Sequence, residues 1–574
     1  LVSIPDFVAR SKAHAQTNGG IAATVQAVQT DNSQNCAPAY TGNQSVDVAL
    51  TYVDPNSGSQ AVAFSADDST YVDLTTTINT TLNFSAGSST ANFYLAYPDA
   101  GQLRLTFTDP NNVLINGGVA TGSDDFVARP DKLEAKLTDL SDVNLAGGTY
   151  MAGRPFKLTI NALNLDGAVT ANYQPGDLEL NPTMIITMPG AANATTMYYS
   201  ASGSISATKS DNWSNASLTF TNGVYSTSVA SFDDVGEFQL DVRDTNYFSS
   251  SIGSAGVVSA GRFTPAYFDI QQIDAPSIAD THANDFSYIG ESLSYETSPK
   301  YKVVAKNYKD ATTTNYHGSF NQFTGANAFD LSGRLYSENN AGVTIFDGGT
   351  LASVDITDPT GWDGEFEFSL SDTFLYTKDA TEVAPINVDI ELELQATDLT
   401  DADGIGYDAN GLSDSEIDSD KFTIASITGT QVRYGRLSLD NAFGPETQSL
   451  KVPAHIEYWN GTRFIANADD DDSSFSAFTG TLTGSNASDF SFAVRTPSSS
   501  TFTDGGIPGS DGLFVDTSTG STISELVLEL GTYPSHLQFD WDNDDDIDAN
   551  DKLTTNVIFG RYRGNDRIIF KRER

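Results

Sequence analysis

The sequence predicts an all-β fold of tandem antiparallel β-sandwiches, immunoglobulin-like (Ig-like) in type, and three observations carry that expectation. Apolar and polar residues alternate with period two wherever a pattern can be scored, helical periodicity is nearly absent, and one strand-bearing segment recurs further along the chain. Alternation makes a strand apolar on one face only. Two such sheets bury those faces against one another, and a sandwich results. The 574 residues exceed the ~250–300 at which a single core stops growing, so several such units are expected in series.

Taken in order, the strands announce themselves by Leu103, Leu105 and Phe107, then Phe238, Leu240 and Val242, then Phe366, Phe368 and Leu370. The plainest is Ile386, Val388, Ile390, Leu392, Leu394 and Ala396, each separated by one polar residue. Gly, Asp, Asn or Pro bounds each run, as turns require. The segment Tyr97 to Asp109 aligns without gaps on Phe232 to Asp244, carrying Gly101 onto Gly236, and the same offset of 135 residues carries Pro130 onto Pro265. A looser echo pairs Phe156 through Tyr173 with Tyr301 through Tyr316. A period of that length is too long for a solenoid unit and suits one sandwich. The expected modules are 1–130, 131–268, 269–427 and 428–574, the last rich in β-structure and bearing an acidic loop.

Composition narrows the function. With 75 acidic and 30 basic side chains the formal net charge is −45, which repels phosphate backbones and anionic lipid. Nucleic acid is therefore not an expected partner. The apolar content, 39%, is too high for a disordered acidic tail. No stretch approaches the roughly 18 apolar residues of a membrane helix, so no membrane-spanning segment is expected. A chain opening at Leu1 is read as processed or truncated, with any signal peptide upstream. Its one cysteine, Cys36, excludes an internal disulfide and reads as a small buried residue.

For catalysis the sequence offers little. His14, His282, His317, His455 and His536 lie in separate stretches without metal-ligand spacing, and no nucleophile elbow, phosphate loop or His-Glu-x-x-His pair is present. The chain is expected not to be an enzyme. The densest chemical feature is acidic: Asp540, Asp542, Asp544, Asp546, Asp548 and Asp551 occupy positions 1, 3, 5, 7, 9 and 12 of a loop, the spacing at which EF-hand oxygens meet calcium. Asp545 stands at position 6, where that loop uses Gly, and Asp551 replaces the bidentate Glu. Calcium is the expected cofactor. Asp401, Asp403 and Asp408, near Asp398, form a second candidate metal cluster, and the run Asp469 to Asp472 another; like-charge runs are otherwise solvated faces. Trp213, Trp362, Trp459 and Trp541 lie beside polar turn residues and are read as packing groups rather than sugar platforms.

In the last third, Val432-Arg-Tyr-Gly-Arg-Leu-Ser-Leu-Asp-Asn-Ala-Phe-Gly-Pro-Glu446, then Glu457-Tyr-Trp-Asn-Gly461, resemble the central signature of the DUF6701 family, and Phe559 to Phe570 resembles its closing motif. The segments around Cys36, Gly236 and Gly261-Arg-Phe-Thr-Pro265 also fit, so the likeness spans most of the chain. It departs where the family carries further cysteines: Asp470 to Ser474 replaces an Asp-Ser-Cys-Thr pattern, and Cys36 lacks a partner near Leu50. This member must hold those loops by packing or by ions.

The resemblance implies a large secreted or surface-exposed bacterial protein encoded with the machinery of mannose-sensitive haemagglutinin (MSHA) type IV pili, acting in assembly or as a tip adhesin. It carries no catalytic residues. The expected function is an extracellular, non-enzymatic adhesin or tip component whose partners are pilins, pilus-assembly proteins or cell-surface glycans. The alternative is a self-associating filament or surface-layer subunit whose termini exchange strands, and a polysaccharide-acting enzyme stands third. Arg433, Arg436, Arg561, Arg563 and Arg567 concentrate positive charge in an acidic protein; they are read either as pairing with nearby acids at a domain interface or as a docking face for a pilin.

Overall fold

The computed structural model describes all residues except 32, 35, 59, 114–118, 186–193, 324–328, 358–362, 412–417, 518–522 and 561–574. Strands take 53% of the residues and helix 3%, and the one α-helix among the described residues is the seven-residue Lys12–Asn18. No described helix is long and apolar enough to cross a membrane. The expected all-β, antiparallel architecture is what the chain adopts.

The sheets gather strands from four successive stretches. The first module pairs two five-stranded sheets: Val2–Ser3, Ile21–Gln26, Thr90–Ala96, Val62–Ser65 and Val72–Leu74 face Phe7–Val8, Val119–Arg129, Gly101–Val113, Gly42–Asp54 and Thr77–Phe84. Val48, Phe64, Phe93 and Leu105 fill the space between them. The second links eleven strands between Lys132–Thr138 and Val258–Thr264 into one hydrogen-bonded set. The third joins three four-stranded sheets between Tyr267–Asp274 and Phe422–Arg433, and the fourth lies between Gly435–Leu439 and Thr554–Phe559.

One closure recurs in all four. A short early strand pairs in parallel with the module's last: Phe7–Val8 with Val119–Arg129, Ala146–Met151 with Val258–Thr264, Ser287–Tyr288 with Phe422–Arg433, and Ala442–Gly444 with Thr554–Phe559. Other pairings are mostly antiparallel, and the alternation read from sequence is realised directly. In Ile386–Leu394 every second side chain, from Ile386 to Leu394, is buried. Cys36 sits in the strand Cys36–Pro38, but its side chain lies outside the described residues.

Candidate functional site

The recurring segment is one half of a joint, and the looser echo is its other half. In the first module Asp99 ends a turn, and its Oδ1 accepts N–H bonds from Ala100 at 2.8 Å and from Asn172 of the second module at 2.9 Å. In the second module Asp234 does the same with Val235 at 2.8 Å and Asn315 of the third module at 3.0 Å. The amide of Asn164 donates to Pro98 O at 2.9 Å, as that of Asn307 does to Asp233 O at 2.8 Å. Each turn also pushes one apolar residue forward: Ala100 belongs to the second module's core and Val235 to the third's. The glycines that follow, Gly101 and Gly236, take φ of +142° and +135°, a conformation that side chains disfavour. At Gly101 a Cβ would also come within 2.9 Å of Asp54 O.

Both joint carboxylates are buried, and burial raises their pKa, that of Asp234 to about 6. One difference between the joints lies at the second carboxylate oxygen. Thr314 Oγ1 donates to Asp234 Oδ2 at 2.9 Å, whereas Asp99 Oδ2 is buried with no partner and Ala171 occupies the position matching Thr314. Ala171→Thr is therefore expected to stabilise the first joint by about 1 kcal/mol, a typical net hydrogen-bond value, with Ala171→Val giving no gain. Denaturant unfolding of the three proteins checks it.

The third joint has a different construction. Phe286 and Tyr288, from the third module's sequence, lie in the fourth module's core. The run Asp469 to Asp472, expected to be a solvated face or an ion site, meets side chains of the third module one after another. Asp469 pairs with Arg433 at 2.7 Å, Asp470 accepts from Tyr288 Oη at 2.7 Å, Asp471 from Asn284 at 3.2 Å, and Asp472 faces His282 at 2.6 Å. Asp470 is 0% exposed and also accepts both Ser473 N and Ser473 Oγ. Where the family resemblance implied a cysteine-stapled loop, hydrogen bonds to a buried carboxylate hold this one.

Beside that loop the structure assembles a group invisible in sequence. His282 Nε2 and His536 Nδ1 both face Glu291 Oε1, at 3.1 and 3.3 Å. Burial would lower the His282 pKa, but Glu291 and Asp472 push it up to about 9. Burial brings His536 down to about 4, and burial also pushes Lys378, whose Nζ donates to the carbonyls of Gly435 and His536, down to about 7.

The acidic loop of the fourth module is built around its two ends. Asp540 accepts from the N–H groups of Asn543, Asp544 and Asp545, and Asp551 from those of Trp541, Asp542 and Asp548. Asp545 takes φ of +68°, the left-handed turn for which an EF-hand uses glycine. The six aspartates fall into two triads, Asp540, Asp542, Asp544 and Asp546, Asp548, Asp551, each with ligand oxygens within 4.8 Å of one another. Neighbouring carboxylates raise the pKa of Asp546, Asp544 first among them, while burial and then Asp544 raise that of Asp542. The all-oxygen donor set fits calcium.

Of the second cluster, Asp401 accepts from Tyr316 Oη at 2.7 Å and from two loop N–H groups, and Asp403 pairs with Arg262. Asp408 groups instead with Asp418 and Asp420. Arg433 bonds Asn467 and Asp469 and lies over Phe286 and Tyr458; Arg436 bonds Glu457 and lies over Phe464 at 3.6 Å. Both are thus held by their own chain, while Arg561, Arg563 and Arg567 lie outside the described residues. Trp213 is half-buried under Arg243, Trp459 packs on Phe464 and Trp541 on Phe539; Trp362 lies outside the described residues.

A cleft of about 430 Å³ beside the first joint has Asp54 as its one carboxylate, and a groove of about 280 Å³ beside the third, lined in part by Gly290, Lys378 and Ser535, has none.

Consecutive β-sandwich modules, the first of them Ig-like, joined by buried polar residues define a multidomain sandwich array. Its relatives are specific: the first Ig-like domain of DUF6701, a domain of unknown function, matches residues 1–123, the DUF6701 third domain matches 234–424 and the DUF6701 fourth domain matches 433–574. The chain belongs to the DUF6701 family. No curated protein matches it in sequence. Among solved structures, the zebrafish RET cadherin-like domains 1 to 4 are similar at 9% identity over 91% of this chain and 98% of that one, with a TM-score of 0.22. Dimeric latent PorU from Porphyromonas gingivalis is similar at 9% identity over 76% of this chain and 35% of its own, with a TM-score of 0.15. For the S-layer protein rSbsC the values are 9%, 97%, 53% and 0.16. The chain thus spans about a third of the PorU chain and about half of the S-layer chain. At such scores the likeness says nothing of function.

Proposed function

We propose that this chain is an extracellular, non-enzymatic adhesin or tip and assembly component associated with a type IV pilus of the MSHA kind, a counterpart of MshQ in the same family. The observation that carries the reading is the twice-repeated joint, which makes successive sandwiches into a braced arm, a form suited to holding and reaching. One further feature supports it. The amino-terminal segment is engaged at home: Leu1 exchanges bonds with Gln26, and Ile4 and Phe7 are buried in their own module's core. That placement disfavours a filament subunit that gives its first strand to a neighbour.

The test is binding of the full chain to purified MSHA-type pili, beside its sedimentation at rising concentration. Saturable binding by a monomer is expected. Fibres that form without pilin would replace this reading with the filament subunit.

Calcium belongs to the same proposal, held by Asp540, Asp542, Asp544, Asp546, Asp548 and Asp551, where it would neutralise crowded carboxylates and stiffen the loop. At 100 times Kd, calcium should stabilise the fourth module by about 2.7 kcal/mol, seen as a rise in its melting temperature that chelator reverses and Asp544→Asn removes. An unchanged melt would end the calcium assignment.

A further inference from the structure

We propose that His282 Nε2, Glu291 Oε1 and His536 Nδ1 bind one divalent transition-metal ion, with zinc the ion of choice, and that this ion pins the third module to the fourth. The assignment is independent of the calcium loop and of the pilus reading. Two imidazoles and a carboxylate are a donor set that suits zinc and leaves a fourth position open. All three offer ligand atoms within 4.8 Å of one another.

The surroundings are those of a prepared site. A metal-bound imidazole normally gives its other nitrogen to a carboxylate, which fixes ring and tautomer; Asp472 Oδ1 lies 2.6 Å from His282 Nδ1. Glu291 Oε2, the oxygen turned away, accepts from Thr281 Oγ1 at 2.5 Å and Tyr288 N at 2.8 Å, so Oε1 is aimed at the histidines. Aromatic faces hold both rings: His282 stacks on Phe286 with planes 9° apart and His536 on Tyr288 with planes 8° apart.

Charge points the same way. Glu291 and Asp472 contact the imidazoles directly and Asp470 lies behind Tyr288, so three carboxylates gather around the two rings, a setting that favours a bound cation. The three ligand side chains keep 8%, 15% and 16% exposure, enough for an ion to enter. Gly290 and Ser535, next in sequence to Glu291 and His536, line the neighbouring groove.

The experiment uses the full chain, stripped with chelator and titrated with Co²⁺ as a visible probe. One equivalent should give the ligand-field absorption of a four- or five-coordinate site, and Zn²⁺ should displace it and raise the melting temperature. Glu291→Gln and His536→Gln should each abolish the spectrum. Asp472→Asn keeps all three ligands and should weaken affinity on the order of 10- to 100-fold, which keeps the test sound if a ligand variant folds poorly. Asp544→Asn, in the acidic loop, should leave the spectrum unchanged. No stoichiometric spectrum, or one that survives both ligand variants, would overturn the proposal and leave the cluster as an ion pair between modules.

Discussion

Replacing Asp372 with alanine is expected to destabilise the third module by about 3–5 kcal/mol, the loss that follows when a buried ion pair is left with one member. Arg334 and Asp372 expose 1% and 0% of their side chains. The guanidinium meets the carboxylate through Nε at 2.8 Å and Nη2 at 2.6 Å, and its remaining donors reach the carbonyls of Asp330, Leu331 and Ala352. Asp372 in turn accepts from Tyr336 Oη and Ala352 N. Every polar group here depends on the others, so deleting the carboxylate strands a buried cation. Amide hydrogen exchange in Leu335–Glu338 and its partner Ile386–Leu394 reads the loss locally, as acceleration of at least about 100-fold. Replacing both members with apolar residues of similar volume should cost much less, and equal losses from the single and double variants would show that the pair is not what holds this region.

The second large effect concerns the joint between the second and third modules. Burial lifts Asp234 from 3.8 to about 6, so the folded chain holds this proton more tightly than the unfolded chain does. The stabilisation from that proton is fully present below about 3.8 and is lost as pH rises through 6. Across that window it is worth up to about 3 kcal/mol. Asp234→Asn is neutral throughout and lacks this dependence. The variant should therefore be the more stable protein at pH 8, with the advantage shrinking towards zero near pH 4. Urea unfolding of both proteins at the two pH values measures the difference. A variant less stable at pH 8 would mean that the bonds from Asn315, Val235 and Thr314 to the charged form outweigh its burial.

The strands were readable because a half-buried strand writes its geometry into every second residue, as in Ile386–Leu394. The repeat at Gly101 and Gly236 was equally plain, but its meaning was not. A carboxylate that caps a turn and reaches into the next module looks, in sequence, like any Asp before a Gly. Only the matching echo at Asn172 and Asn315 could have hinted at the two halves.

The run Asp469 to Asp472 reads as wet because adjacent carboxylates repel; what reverses this is a set of donors from Asn284, Tyr288 and His282, the last of them 190 residues from Asp472. The histidine pair was missed for the same reason. Spacing rules find ligands on one strand or loop, whereas His282 and His536 meet across a module boundary.

The parallel pairing of an early strand with each module's last strand has a mechanical consequence. Tension drawing the two ends of such a module apart would slide these strands along each other, so that their bonds strain together rather than peel one at a time. In the first and third modules only two residue pairs form this latch, Phe7–Val8 against Ala128 and Arg129, and Ser287–Tyr288 against Val432 and Arg433. Under load, the lifetime of the folded module would be set by how fast those few contacts rupture.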